Sequence, residues 1–254
     1  MNALRISAAS ALLAFACTAQ AGTFVDFEAP TYTAGQSING FDGWVAFGGN
    51  GRVTPDVNSG YVPPAYPILS GSQSYVHYTT GGLGHGWGSA TGSVSNAFTT
   101  SLLVRTEFDA SSGYYAVYFS DNIGPGSTPG GFEMNHATDK IDIFGTTGTV
   151  SNGLSFAAAT TYKMEMEVNL ASNNFSVYAT DLTNSGPRLL AGTGVFYSGP
   201  LSLANVQANG GLLLWRGGGS SAFVDDLAVN PIPEPATLSL LSIGAMFAGR
   251  RRRV

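Results

Sequence analysis

Apolar and polar residues alternate most cleanly between Tyr162 and Leu170. Lys163, Glu165, Glu167 and Asn169 fall on one side, and Met164, Met166, Val168 and Leu170 on the other. A period of two marks a strand with one wet and one buried face. The run Ala171-Ser172-Asn173-Asn174 supplies a turn into a second strand, Phe175 to Thr180, which predicts a hairpin. Shorter strands are expected at Thr23–Phe27, Trp44–Phe47, Arg52–Val57, Ser74–Tyr78, Val94–Phe98, Leu102–Phe108, Tyr114–Ser120, Glu133–Asn135 and Lys140–Phe144, then at Arg188–Ala191, Val195–Tyr197, Leu212–Trp215 and Ala222–Val229. Turn dipeptides such as Asn39-Gly40 and Asp42-Gly43 separate them. Ser59 to Pro67, with three prolines, and Thr80 to Gly92, with six glycines, read as loops. No amphipathic helix of ten or more residues stands between the two ends of the chain, and no fixed repeat occurs. The pattern predicts an all-β antiparallel sandwich.

Composition agrees, and the two ends change its meaning. Gly, Ser, Thr, Asn, Phe and Tyr are abundant while charge is sparse, as suits short strands joined by many turns. At the C-terminus three parts follow in order: a proline-flanked acid, Pro233-Glu234-Pro235; a run of 14 uncharged residues, Ala236 to Gly249; and Arg250, Arg251, Arg252 and Arg253. A helix needs about 20 apolar residues to cross a hydrocarbon core, so this run spans only a thin one. Four arginines hold its far end on the cytoplasmic side. At the N-terminus, Arg5 precedes an apolar stretch, Ile6 to Cys17, and an A-x-A site ends at Ala21 before Gly22. That is a secretory signal peptide, recognised by the export machinery and by signal peptidase. Cys17 sits in a poor lipobox, and cleavage after Ala21 leaves no cysteine for a disulfide, nucleophile or thiolate metal site.

The expected divisions are therefore a signal peptide at 1–21, a sandwich domain at 22–230 and a sorting segment at 231–254. Between the ends the chain keeps 6 basic and 15 acidic residues, a balance of −9. Such a body is unsuited to nucleic acid. The C-terminal order of Pro-Glu-Pro, apolar stretch and arginine cluster resembles the PEP-CTERM sorting signal of Gram-negative bacteria. That resemblance implies recognition by an exosortase, a membrane-embedded cysteine transpeptidase-like enzyme, with removal of the tail and delivery to the cell surface or beyond it.

A second resemblance covers the body. The opening Thr23-Phe24-Val25-Asp26-Phe27-Glu28, the Phe41-Asp42-Gly43-Trp44 segment and the closing Ala222 to Val229 are similar to the ends of a concanavalin A-like lectin/glucanase jelly roll. It implies a carbohydrate-related role, with extracellular polysaccharide as partner, by binding or by cleavage. A purely structural surface role needs neither.

Candidate chemistry is thin. Glu165 and Glu167, two residues apart on one strand face, lie at a spacing of roughly 6.6 Å by strand rise. This suits paired carboxylates, but Lys163 beside them marks a solvated face, and they are expected not to be catalytic. No G-x-S-x-G or H-E-x-x-H motif occurs. For a ligand, Gly84-His85-Gly86-Trp87-Gly88 offers Trp87 as a stacking platform with His85 as a hydrogen-bonding neighbour; a lid over the core is the alternative for Trp87. Trp44 and Trp215 are expected in the core. Glu28, Asp225 and Asp226 cluster acids on the first and last strands, a donor set that calcium favours; simple surface acidity near strand ends is the plainer reading.

Overall fold

The computed structural model describes residues 24–48, 51–54, 67–77, 80–86, 94–107, 113–121, 130–146, 148–150, 153–197, 201–218 and 221–232. The expected signal peptide with its Ala21/Gly22 junction, Trp87, and the sorting residues Glu234 and Arg250 to Arg253 with Pro233 and Pro235 lie outside them. None of the described helices is long and apolar enough to cross a membrane.

Among the described residues, fifteen strands form two antiparallel sheets. They are β1 Phe24–Val25, β2 Trp44–Phe47, β3 Gly51–Val53, β4 Tyr75–His77, β5 Gly81–Gly86, β6 Ala97–Glu107, β7 Gly113–Ser120, β8 Gly130–Asn135, β9 Lys140–Gly145, β10 Gly148–Val150, β11 Thr161–Asn169, β12 Asn174–Asp181, β13 Arg188–Val195, β14 Gly211–Gly218 and β15 Ser221–Pro231. The first sheet runs β13-β12-β11-β6-β15-β4-β3, with β1 paired to β15. The second runs β10-β9-β8-β7-β14-β5-β2. A short helix, α1 Leu203–Asn209, is capped by Ser202, whose Oγ accepts from the Asn205 amide, and buries Val206.

The predicted hairpin is β11 and β12, in register from Tyr162↔Asp181 to Asn169↔Asn174. Its burial alternates as the sequence does, with Met164, Met166 and Val168 in the core opposite Phe175, Val177 and Ala179. Turn chemistry at Asp42-Gly43 is equally legible. Both residues take φ > 0, at 47° and 81°, and the Trp44 amide donates to the Phe41 carbonyl at 2.9 Å, the mirror-image turn that short hairpins favour.

Three expectations need correcting. Val94–Phe98 and Leu102–Phe108 merge into one 11-residue strand, β6, because Thr99 to Ser101 pair on both sides, with β11 and with β15. Arg188–Ala191 and the first residue of Val195–Tyr197 merge into β13, because Gly192 to Gly194 between them pair with β12. The glycine-rich stretch after Thr80 was expected to be a loop, yet its first part is the strand β5. Its glycines are what admit it. A Cβ on Gly82 would come within 2.4 Å of the Trp215 ring, so a side chain there and this tryptophan cannot both fit.

Between the sheets, Phe98, Val104, Met164, Met166, Val168, Phe175 and Val177 face Val117, Phe119, Phe132, Met134, Ile141, Leu212 and Leu214. Towards one end of the sandwich this core turns polar. His77 on β4 and Thr106 on β6 both stand opposite Ala222 of β15, while Tyr115 and Arg216 are register partners in the second sheet. The four are almost wholly buried, and the His77 ring meets that of Tyr115 edge-on at 5.8 Å. Burial first, and the Arg216 charge second, push His77 down to about pKa 3, so it is neutral in the fold.

Candidate functional site

Alternation along β7, β8, β9 and β14 sends half their side chains to the core and half to the outer face of the second sheet. The outward set is not the polar surface that a simple sandwich would show. One register line crosses four neighbouring strands: Trp215 of β14 pairs Ala116 of β7, Ala116 pairs Glu133 of β8, and Glu133 pairs Asp142 of β9. Gly82 of β5 extends the line beneath the Trp215 ring. With strands about 4.8 Å apart, the indole stands roughly 10 Å from Glu133, and the two carboxylates occupy adjacent strands.

Hydrogen bonds and ring contacts fix these side chains. The Tyr118 hydroxyl donates to Glu133 Oε1 at 2.5 Å, and Asn135 Nδ2 donates to Asp142 Oδ2 at 3.0 Å. The Tyr118 ring lies 5.2 Å from that of Phe144, which stacks on Tyr197 at 6.1 Å and 10°. Burial and the Glu133 charge raise the Tyr114 hydroxyl above its ordinary range, against the opposing hydrogen bond from Trp215. Tyr118 is raised for the same reasons, burial first and Glu133 second. Both phenols therefore stay protonated as donors.

The acids form a sheltered floor, with Glu133 8% and Asp142 1% exposed, whereas Tyr114, Trp215 and Phe144 are half-buried and Tyr197 is 49% exposed. Flat aromatic faces beside fixed carboxylates suit a ligand with both apolar faces and hydroxyl donors. Neither Glu133 nor Asp142 was picked out in the sequence as part of a site. Trp215, expected in the core, stands on the outer face. Leu212-Leu213-Leu214-Trp215 is apolar throughout, so no alternation tells which face each residue takes; the inward positions are Leu212, Leu214 and, unexpectedly, Arg216.

The other candidates lie apart from this face. His85 is buried, 4.7 Å from the Trp44 ring and edge-on to it, with burial the main cause of its lowered pKa. Glu28 closes the turn before β4, accepting from the Ser72 amide at 2.7 Å, Ser72 Oγ at 2.6 Å and the Gln73 amide at 2.9 Å. Asp225 is fully buried at a bulge in β15; its Oδ2 accepts from Ser74 Oγ at 2.8 Å and its Oδ1 from the Asp226 amide at 2.9 Å. Asp226 holds φ at 50° there. Among the described residues no group of three or more His, Cys, Asp or Glu is placed to hold a metal ion.

Glu165 and Glu167 lie on the outer face of the first sheet, bridged by one arginine. Arg188 Nε reaches Glu165 at 2.9 Å, its Nη2 reaches Glu167 at 2.7 Å, and its guanidinium covers the Tyr178 ring at 3.4 Å. Lys163 adds a contact to Glu165 at 3.3 Å. Desolvation acts to raise Glu165, but the Arg188 bonds and the Lys163 charge outweigh it and hold the carboxyl low. A low, paired carboxylate is the opposite of a general acid. Exposed ion pairs of this kind are worth about 0–1 kcal/mol. Arg188→Ala is accordingly expected to lower the unfolding free energy from urea titration by no more than that; a loss of several kcal/mol would show the network to be structural.

Residues 231–253 match the PEP-CTERM protein-sorting motif. No curated protein matches the chain. Among solved structures, a sialidase aligns over 84% of this chain at 14% identity and a TM-score of 0.51, and the chain spans only 19% of that protein. Lectin II from Ulex europaeus aligns over 84% of this chain and 99% of its own, at 12% identity and a TM-score of 0.46. The carbohydrate-binding module CBM66 from Bacillus subtilis covers 74% of this chain and 95% of its own, at 12% identity and 0.43. At such identities the likeness is one of fold: an all-β sandwich of two antiparallel sheets, with a PEP-CTERM sorting motif at its C-terminal end.

Proposed function

We propose that this exported, exosortase-sorted surface protein binds an extracellular polysaccharide on the outer face of its second sheet. The register line Trp215–Ala116–Glu133–Asp142 is the observation that carries the reading. A sugar ring stacked on Trp215 or Tyr114 presents its hydroxyls across the strands toward Glu133, whose shielding strengthens each hydrogen bond it accepts. The acidic body favours neutral or cationic glycans over polyanionic ones. A glycan array probed with the secreted protein tests this, followed by titration of the best sugar. Trp215→Ala is expected to lower affinity about 2- to 10-fold, the equivalent of an aromatic contact worth roughly 0.5–1.5 kcal/mol. Glu133→Gln should weaken binding as well, while Glu165→Gln should not. Binding that ignores Trp215 and Glu133 would remove this face from consideration.

A second reading rests on the same two acids. Directly opposed residues on adjacent antiparallel strands have Cβ atoms about 4.5–5.5 Å apart. Retaining glycosidases hold their two carboxyl groups about 5–5.5 Å apart. A glycan-active hydrolase therefore places its pair at Glu133 and Asp142, not at Glu165 and Glu167. Reducing-sugar release that is abolished by Glu133→Gln and by Asp142→Asn separately, with binding retained, would favour cleavage over binding.

A further inference from the structure

The sorting motif has no linker in front of it. Its first matched residue, Pro231, is also the last residue of β15 and pairs Phe98 of β6. The next residue is tied down too. The Ile232 amide donates to the Ala97 carbonyl at 3.0 Å, and Ser95 Oγ, which donates to that same carbonyl at 2.8 Å, lies 3.4 Å from the Ile232 carbonyl. β15 pairs with β6 as far as Pro231, and on its other side with β4 over Ala222–Val224 and with β1 at Leu227 and Ala228. From Ile232 to Ala236, where the apolar stretch begins, four residue steps reach at most ~14 Å even when fully extended. The ten steps of β15 itself run about 33 Å in the opposite direction, into the body.

We infer that, while the tail is still attached, the sandwich stands end-on at the membrane, with the end that holds Ser95, Asn96 and the Leu170–Asn173 turn facing the bilayer. The tether is shorter than the body is long, so the body cannot turn over. The composition of this end is suited to the position. Ser95 to Ala97, Asn169 to Asn174 and α1 are joined there, through Leu170 N to the Asn96 carbonyl and Gln207 Nε2 to the Val94 carbonyl; these segments around the tether carry no acidic or basic residue, and the acids of the same end, Asp121 after β7 and Asp42 before β2, belong to the second sheet. The Asn135–Asp139 turn, joining β8 to β9, lies at the opposite end, since Asn135 pairs Tyr114 at the start of β7 while β7 meets β14 near Gly211 at its finish. That distal end is presented outward.

The inference rests on the sorting reading and is independent of carbohydrate binding. Its test uses the full chain with Cys17→Ser, exported in a bacterial host that lacks an exosortase. A single cysteine is placed in an exposed turn at one end or the other, by Ala171→Cys or Ala137→Cys. A bulky, membrane-impermeant maleimide is applied to spheroplasts, with rates normalised to the same variants in urea. Ala171→Cys is expected to react several-fold more slowly than Ala137→Cys. A 20-residue Gly/Ser linker between Ile232 and Pro233, with an r.m.s. span of about 25 Å, should abolish the difference. Equal rates without the linker overturn the inference, as does protection that persists with it, which would come from contacts of the body itself. Fractionation of the same cells scores membrane attachment; a precursor found free of the membrane refutes the sorting premise and the inference together.

Discussion

Replacing Asp225 by Asn is expected to steepen the rise of folding stability between about pH 4 and 6.5, and replacing His77 by Phe to depress it. Each change in slope approaches about 1.4 kcal/mol per pH unit, the weight of one proton. Asp225 is held in the fold by Ser74, Ser70 and the Asp226 amide, yet its burial outweighs these bonds and raises it from 3.8 to about 7. The folded chain therefore keeps a proton that the unfolded chain has released. Stability from this group is complete below pH 3.8 and is lost as pH rises toward 7. His77 runs the other way. Burial depresses it from 6.5 to about 3, so the unfolded chain binds the extra proton. Its contribution is complete above 6.5 and is lost as pH falls toward 3. Over the shared window the two slopes oppose each other. His85, also depressed mainly by burial, acts on the same side as His77. Urea midpoints at about pH 4.5 and 6.5 should separate the variants from the parent by roughly 2–3 kcal/mol in the pH difference. If the tight site of His77 rejects Phe, His77→Leu and His77→Gln remove the same titration. Parallel stability curves for parent and variants would show that neither group titrates as its burial requires.

These two groups mark what the sequence conveyed and what it withheld. The hairpin from Tyr162 to Thr180 was legible because its alternation is strict and each apolar residue has an opposed partner. The pairing of β1 with β15 was implied by the resemblance of the first and last strands to the ends of a jelly roll, but the bulge at Asp225 and Asp226 was not, because a bulge is one extra residue and leaves no compositional mark. Glycine misled in the opposite sense. At Gly82 it is the condition for a strand, since Trp215 from β14 fills the space that a side chain would take. The candidate face stayed hidden for a related reason. Trp215, Glu133 and Asp142 come from three separated stretches, and only register brings them into one line. Within Leu212 to Trp215 no polar residue reports which way the strand faces. Arg188 is a similar case: the solvated character of Glu165 and Glu167 was legible from Lys163, whereas the arginine that bridges them arrives from β13.

Trp44→Ala is expected to cost about 3–5 kcal/mol, the range for truncating a large buried aromatic. Trp44 is completely buried on β2, at the margin of the second sheet, but its partners come from both sheets and from the first turn of the chain. Its ring stacks on Tyr75 of β4 at 6.2 Å and 21°, lies 5.8 Å from Phe27, and meets His85 of β5 edge-on at 4.7 Å. Its Nε1 donates to the Tyr32 hydroxyl at 3.3 Å, and that hydroxyl donates to Asp42 Oδ2 at 2.6 Å. One side chain thus joins the entry segment, the Asp42-Gly43 turn and the margins of the two sheets. Removing it opens a cavity and takes a donor from Tyr32 without exposing either sheet's centre. For a chain of this size each kcal/mol corresponds to about 2–4 °C, so Tm should fall by roughly 6–20 °C. Trp44→Phe keeps the stacking on Tyr75 and loses the indole N–H, and should recover most of the deficit. The comparison separates packing from the hydrogen bond: equal losses in the two variants would assign the effect to the Tyr32–Asp42 chain, and a loss below about 1 kcal/mol in Trp44→Ala would mean that this corner of the sandwich closes without its tryptophan.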